Sequence, residues 1–146
     1  MKRTYIFALT FCALLGFYFL NPWSTAQSVE VTEDKNSNGV SDLVDQFIEG
    51  QGKLSPDRKK ALSRYARYLQ AILNSKGSLP FDEKHELACI SELSKPFDSE
   101  YDDLELMVKG KILNSPAKIK KYYQHGEQFS GQVHNMPEVT HDECLR

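Results

Sequence analysis

The sequence predicts an all-α fold, a small bundle of about five helices behind a short polar loop. Apolar residues recur at helical spacing in several segments, Ser-Pro pairs open two of them, and no stretch alternates as a half-buried strand does. A loop that turns on Asn38-Gly39 leads into the first helix, where Leu43, Val44, Phe47 and Ile48 stop at Gly50-Gln51-Gly52. The second opens with Ser55 as N-cap and Pro56 at the first helical position, and Leu62, Tyr65, Ala66, Leu69, Ile72 and Leu73 share one face. The third runs from about Asp82 to Leu93 with Leu87, Ile90 and Leu93 inward, and ends before Pro96. Ser99-Glu100-Tyr101-Asp102 reads as a capping box for the fourth, with Leu104, Met107, Val108 and Ile112 inward. Ser115-Pro116 opens the fifth, with Ile119, Tyr122, Tyr123 and Phe129 inward, ended by Ser130-Gly131.

Ahead of these elements, Lys2 and Arg3 precede an apolar run from Tyr5 to Leu20, then Asn21-Pro22 and the small residues Ser24-Thr25-Ala26. This is the layout of a signal peptide, residues 1–26, with cleavage after Ala26 and one domain, 27–146, in the mature chain. The run is shorter than the roughly 20 residues of a spanning helix. The alternative is an uncleaved anchor with Trp23 at the interface, the one route by which the sequence implies a membrane. Phe11 is too bulky a neighbour for a lipidated Cys12. Loss of Lys2 and Arg3 takes the formal charge from −2 to −4, and the remaining basic residues are dispersed, which argues against a nucleic-acid partner.

The mature chain keeps two of the three cysteines, Cys89 and Cys144, and an even pair in an exported protein reads as a disulfide. On the loop-entropy model it is worth roughly 4 kcal/mol, and it would tie down a tail poor in apolar residues from Gln132 onward. His85 before Cys89 and His141 before Cys144 make the four an alternative zinc set, which the disulfide would consume.

The stretch DKNSNGVSDLVD, residues 34–45, carries the strongest chemical signal. A calcium ion takes six to eight oxygen ligands, and alternating acids and amides supply them round a Gly that turns the chain. Asp34, Asn36 and Asn38 stand at loop positions one, three and five, Gly39 at six, Val40 with its carbonyl at seven, Asp42 at nine and Asp45 at twelve. Asn38 to Asp45 resembles the core of thrombospondin type 3 repeats and the loops of dockerins. Ser41 stands where an EF-hand has an apolar residue, Asp45 replaces the bidentate Glu, and no second loop pairs with this one. That pattern points to a structural site with a dissociation constant on the order of 10⁻⁴ to 10⁻³ M rather than to a sensor. The plainer alternative is a turn at Asn38-Gly39 with Ser41 or Asp42 capping the helix.

The sequence carries no nucleophile elbow, phosphate loop or zinc-protease helix. Glu100, Asp102, Asp103 and Glu105 include the makings of a carboxylate pair, though a helix start explains acids there through its dipole. Tyr65, Tyr68, Tyr122 and Tyr123 include the makings of a sugar-binding surface, though helical spacing explains them as core.

The order NGVSDLVDQFI, RKKALSRYARYLQAIL, ACISEL and ILNSPAKIKKYYQHGEQFSGQV with a final Cys is similar to a family of uncharacterised exported proteins of Gram-negative bacteria. The resemblance implies a periplasmic helical protein with a calcium-loop-like segment and carries no catalytic residue. Three functional expectations follow, in this order: a calcium-stabilised binding or interaction module with a periplasmic or cell-envelope protein as partner; a periplasmic inhibitor or immunity-type protein; and a small cell-wall-active enzyme.

Overall fold

The computed structural model describes residues 33–133 and 135–146, so the expected leader lies outside the described residues. Within them the chain is all-helical, as the periodicity predicts: α1 Asp42–Glu49, α2 Pro56–Asn74, α3 Glu83–Leu93, α4 Ser99–Ile112, α5 Pro116–Glu127 and the single turn α6 His141–Cys144. No described residue lies in a strand, and no described helix is long and apolar enough to cross a membrane.

Helix α2 is the keel on which the others lie. The Ser55 hydroxyl accepts the Arg58 N–H at 3.3 Å, which satisfies one of the donors that a helix start leaves over. Ala61, Leu62, Tyr65, Ala66, Leu69 and Ile72 are buried along one stripe, and α1, α3, α4 and α5 all pack against α2. Each of Leu62, Leu69 and Ile72 contributes about 1.5–3 kcal/mol by leaving water. Val40, Val44 and Ile48 carry the loop and α1 into the same core. The fourth helix starts one residue earlier than the capping-box pattern suggests. Asp98 wins the N-cap over Ser99 because its carboxylate accepts the Tyr101 N–H at 2.9 Å and also meets Arg58 Nη2 at 2.7 Å.

Three residues expected inward face water instead: Met107, Ile119 and Tyr123 are 55 %, 42 % and 64 % exposed. The stripe of α4 is set by Tyr101, Val108 and Ile112, and Met107 falls beside it. On α5 the inward position belongs to His125, with Lys118, Lys121 and Tyr122 half-buried along the same stripe. Apolar spacing alone selects the neighbouring face, because the true stripe is partly polar. Lys121 joins it by donating to the Leu73 carbonyl at 2.7 Å.

The tail is held more firmly than its composition suggests. Cys89 and Cys144 form the expected disulfide, and α6 lies against α3. Thr140 and Glu143 make a capping box that starts α6. Arg64 Nη1 donates to the Cys144 carbonyl at 2.9 Å, and Lys60 donates to the Leu145 carbonyl.

Candidate metal loop and the groove beside it

The loop is built by its own side chains. Asp34 accepts the Asn38 N–H at 3.2 Å through one oxygen and the Gly39 N–H at 2.9 Å through the other. Asn36 accepts the Asn38 N–H at 3.0 Å, and Asn38 accepts the Val40 N–H at 2.7 Å. These short-range bonds give the backbone an alternative to helix and wind it into a tight coil. The coil needs two positive φ values, 56° at Ser37 and 83° at Gly39. At Gly39 a second constraint applies, because a Cβ there would lie 3.2 Å from Arg67 Cγ.

Four of the six predicted ligand positions converge. The Asn36 and Asn38 amide nitrogens donate to the same oxygen of Asp45, at 3.1 and 2.9 Å, and Asp34 is tied to the same coil by Asn38 and Gly39. Val40 buries its side chain in the core, which fixes its backbone next to the coil. Asp42 is turned the other way: it accepts the Lys35 N–H at 3.0 Å and lies 3.9 Å from the Lys35 ammonium, which itself meets Glu33 at 3.2 Å. Of the three loop aspartates only Asp42 meets Lys35, while Asp34 and Asp45 are held by N–H groups of the coil. Among the described residues no three His, Cys, Asp or Glu side chains gather as a metal group. What the loop offers is a mixed set of carboxylate, amide and carbonyl oxygens, the chemistry a hard cation takes. Ser41 begins α1 without a side-chain cap bond, so a capping hydroxyl is not what holds the loop to the helix.

The loop is docked on α2. With the Gln70 amide nitrogen assigned toward the Gly39 carbonyl, Gln70 donates at 2.9 Å and accepts the Ser41 N–H at 3.0 Å. Beside this contact lies a groove of about 540 Å³, lined by Ser37, Asn38 and Gly39 from the loop, Arg67, Ala71, Asn74 and Ser75 from α2 and its cap, and Pro80 and Phe81 before α3. Arg67 stands over the Phe81 ring, 5.8 Å from guanidinium carbon to ring centre.

A buried polar network runs under the groove, and the apolar patterning gave no sign of it. Glu86, on the inner face of α3, accepts Arg67 Nη2 at 2.8 Å and Arg64 Nη2 at 3.1 Å. Its side chain is 5 % exposed, against 13 % for Arg64 and 40 % for Arg67. The only prior signal is the spacing Arg64-x-x-Arg67 on one helix face, which brings two guanidinium groups to one neighbour. At the start of α3, Glu83 accepts the hydroxyl of Tyr68 on α2 at 2.7 Å and faces His125 Nε2 of α5 at 2.8 Å.

The remaining candidates serve the fold. The cysteine sulfurs are bonded to each other, so the zinc set is not assembled: His85 Nε2 faces Glu143 at 2.9 Å and His141 Nε2 faces Asp57 at 3.3 Å. Hydrogen bonds from His85 and from the Thr140 N–H hold the Glu143 carboxyl below its usual range. Glu100, Asp102 and Asp103 are exposed on the first turns of α4. Glu105 is half-buried, and burial followed by the neighbouring Asp102 pushes its carboxyl up. Tyr65 and Tyr68 are buried, Tyr122 is half-buried and Tyr123 exposed, so the four do not form one surface. Burial raises the Tyr65 and Tyr68 phenols, with Glu105 and Glu83 adding to it respectively. Comparison with protein-family models, with curated proteins and with solved structures finds no match to this chain.

Proposed function

We propose that this chain is an exported helical binding module whose loop 34–45 is a structural calcium site, with a periplasmic or cell-envelope protein as its partner. The observation that carries the reading is the coil itself: backbone N–H groups bonded to Asp34, Asn36 and Asn38 leave Asn36, Asn38 and Asp45 facing one another. In this reading Asp34 and Asp45 give carboxylate oxygens, Asn36 and Asn38 amide oxygens and Val40 its carbonyl, while Asp42 acts through water as position nine often does. The ion supplies the positive charge that one lysine does not, and it fixes the segment that covers Val40 and Val44. The Cys89–Cys144 disulfide supports export, because such bonds persist in oxidising compartments.

Thermal unfolding of the oxidised chain in chelator and in millimolar calcium tests the reading. Calcium at ten times its dissociation constant stabilises by about 1.4 kcal/mol, which raises Tm by about 5 °C in a domain of this size. Asp34→Ala abolishes the rise. An equal Tm with and without calcium, together with no binding heat, refutes the site.

A further inference from the structure

We infer that the groove between the loop and α2 is a ligand site for the free C-terminal carboxylate of a peptide, and that calcium in the loop strengthens it; the second part rests on the loop reading above. The groove's volume, about 540 Å³, lies within the range of small-molecule sites. Its lining divides by chemistry. Ala71, Pro80 and Phe81 make an apolar wall, Asn74 and Ser37 are exposed amide and hydroxyl partners, and Arg67 is the single charged residue among the described ones that line it.

The charge of Arg67 is only partly matched by Glu86. Two guanidinium groups share the one carboxylate of Glu86, and of the three only Arg67 reaches water to any extent. An excess positive charge therefore borders a groove whose described lining contains no acid, and with Nη2 held by Glu86 and Nε buried, Nη1 is the Arg67 nitrogen left to meet a ligand. That arrangement fits a carboxylate attached to an apolar group. A peptide end supplies it: the carboxylate on Arg67, the last side chain against Phe81 and Pro80, and the preceding amide within reach of the exposed Asn74 and Ser37. A neutral ligand leaves the surplus charge of the Arg64–Arg67 pair unmatched, and a cation is repelled by it.

The loop enters because Ser37, Asn38 and Gly39 are both part of the coil and one wall of the groove. Asp34, bonded to Gly39, and Asp45, bonded to Asn38, place negative charge behind that wall. Without a cation this charge opposes an anionic ligand, and a divalent ion removes most of it. Two sites linked in this way share one coupling, typically about 5-fold or more in affinity.

The test is calorimetric titration of the oxidised full chain with N-acetyl-alanyl-alanine, its C-terminal amide, and glucuronate, each in chelator and in millimolar calcium. The acid is expected to bind at least about tenfold tighter than the amide, and about 5-fold tighter in calcium than in chelator. Asn74→Asp, at an exposed last helical position, is expected to remove the preference for the acid while leaving Tm nearly unchanged; Arg67→Lys weakens it because one ammonium cannot hold Glu86 and the ligand in the guanidinium geometry. Equal binding of acid and amide in calcium, or binding of glucuronate alone, overturns the inference, and a concurrent calcium-dependent rise in Tm then leaves the loop reading standing. A preference for the acid that calcium does not change, in a protein whose Tm calcium does raise, overturns the coupling. No rise in Tm overturns the loop reading, and the preference of acid over amide then decides the groove independently.

Discussion

Replacing Glu86 by Gln removes the one negative charge between Arg64 and Arg67 while preserving shape. The carboxylate is 5 % exposed and bonded to both guanidinium groups, at 3.1 and 2.8 Å. Breaking a buried ion pair by removing one partner costs about 3–5 kcal/mol, because the other charge is left without compensation. Two features of the structure lower that figure here. Arg67 is 40 % exposed and regains water, and Arg64 keeps its bond to the Cys144 carbonyl. One feature raises it: the Gln amide presents donors to a site already rich in them, where the Arg64 and Arg67 Nε–H groups have no acceptor. The expected loss is about 3 kcal/mol, read as a lower urea midpoint at unchanged slope. Glu92→Gln, on the surface with Lys95, serves as control and leaves the midpoint where it is. The double replacement Arg64→Met with Glu86→Leu recovers much of the loss, since a buried pair exchanged for apolar packing is often neutral. A loss below about 1 kcal/mol for Glu86→Gln refutes the claim that this network is a structural centre.

Gly39→Ala places a Cβ at φ 83° and 3.2 Å from Arg67 Cγ, and is expected to cost about 1–2 kcal/mol by the same denaturation assay. Combined with Glu86→Gln it falls short of additivity by about 0.5 kcal/mol or more, because both changes act on Arg67. The pair Cys89→Ala with Cys144→Ala lowers stability by roughly 4 kcal/mol and exposes α6 to hydrogen exchange first. Glu105 has its carboxyl raised in the fold, so the folded state holds the proton more tightly and stability falls as pH rises from the unfolded value through the folded one. Glu105→Gln therefore stabilises at pH 7 by about 0.5 kcal/mol, a small figure because the group is only half-buried, and has no advantage at pH 4.

The helices were legible because their start signals are local. Ser55-Pro56 and Ser115-Pro116 cap α2 and α5 where the sequence places them, and the stripe from Leu62 to Ile72 is the buried one. Pairing of Cys89 with Cys144 followed from count and expected compartment. What stayed hidden depends on partners distant in the chain. Glu86 reads as an ordinary acid in the first turns of α3 until α2 brings Arg64 and Arg67 to it, 22 and 19 positions away. His125 reads as a surface residue until Glu83 meets it from 42 positions away, and the apolar Ile119 and Tyr123 then mark the wrong face of α5. In the loop the acids and amides were legible as a spacing, but the bond of Asp42 to the Lys35 N–H, seven positions back, was not, because it exists only once the chain has coiled.

Arg67 stands where these separate features meet. Its aliphatic stem supports Gly39, its guanidinium meets Glu86, and Glu86 in turn meets Arg64, which holds the carbonyl of Cys144. The helices α2 and α3 and the tail are thus joined through three polar side-chain contacts, and the loop rests on the same arginine through an aliphatic one. Hydrophobic burial is non-directional and tolerates sliding, whereas a fork-shaped guanidinium bonded to one carboxylate fixes position and angle. The core therefore accounts for the stability of the bundle, the Arg67–Glu86–Arg64 chain fixes α3 against α2, and Gln70 with buried Val40 sets the loop on α2, so the shape of the groove depends on both.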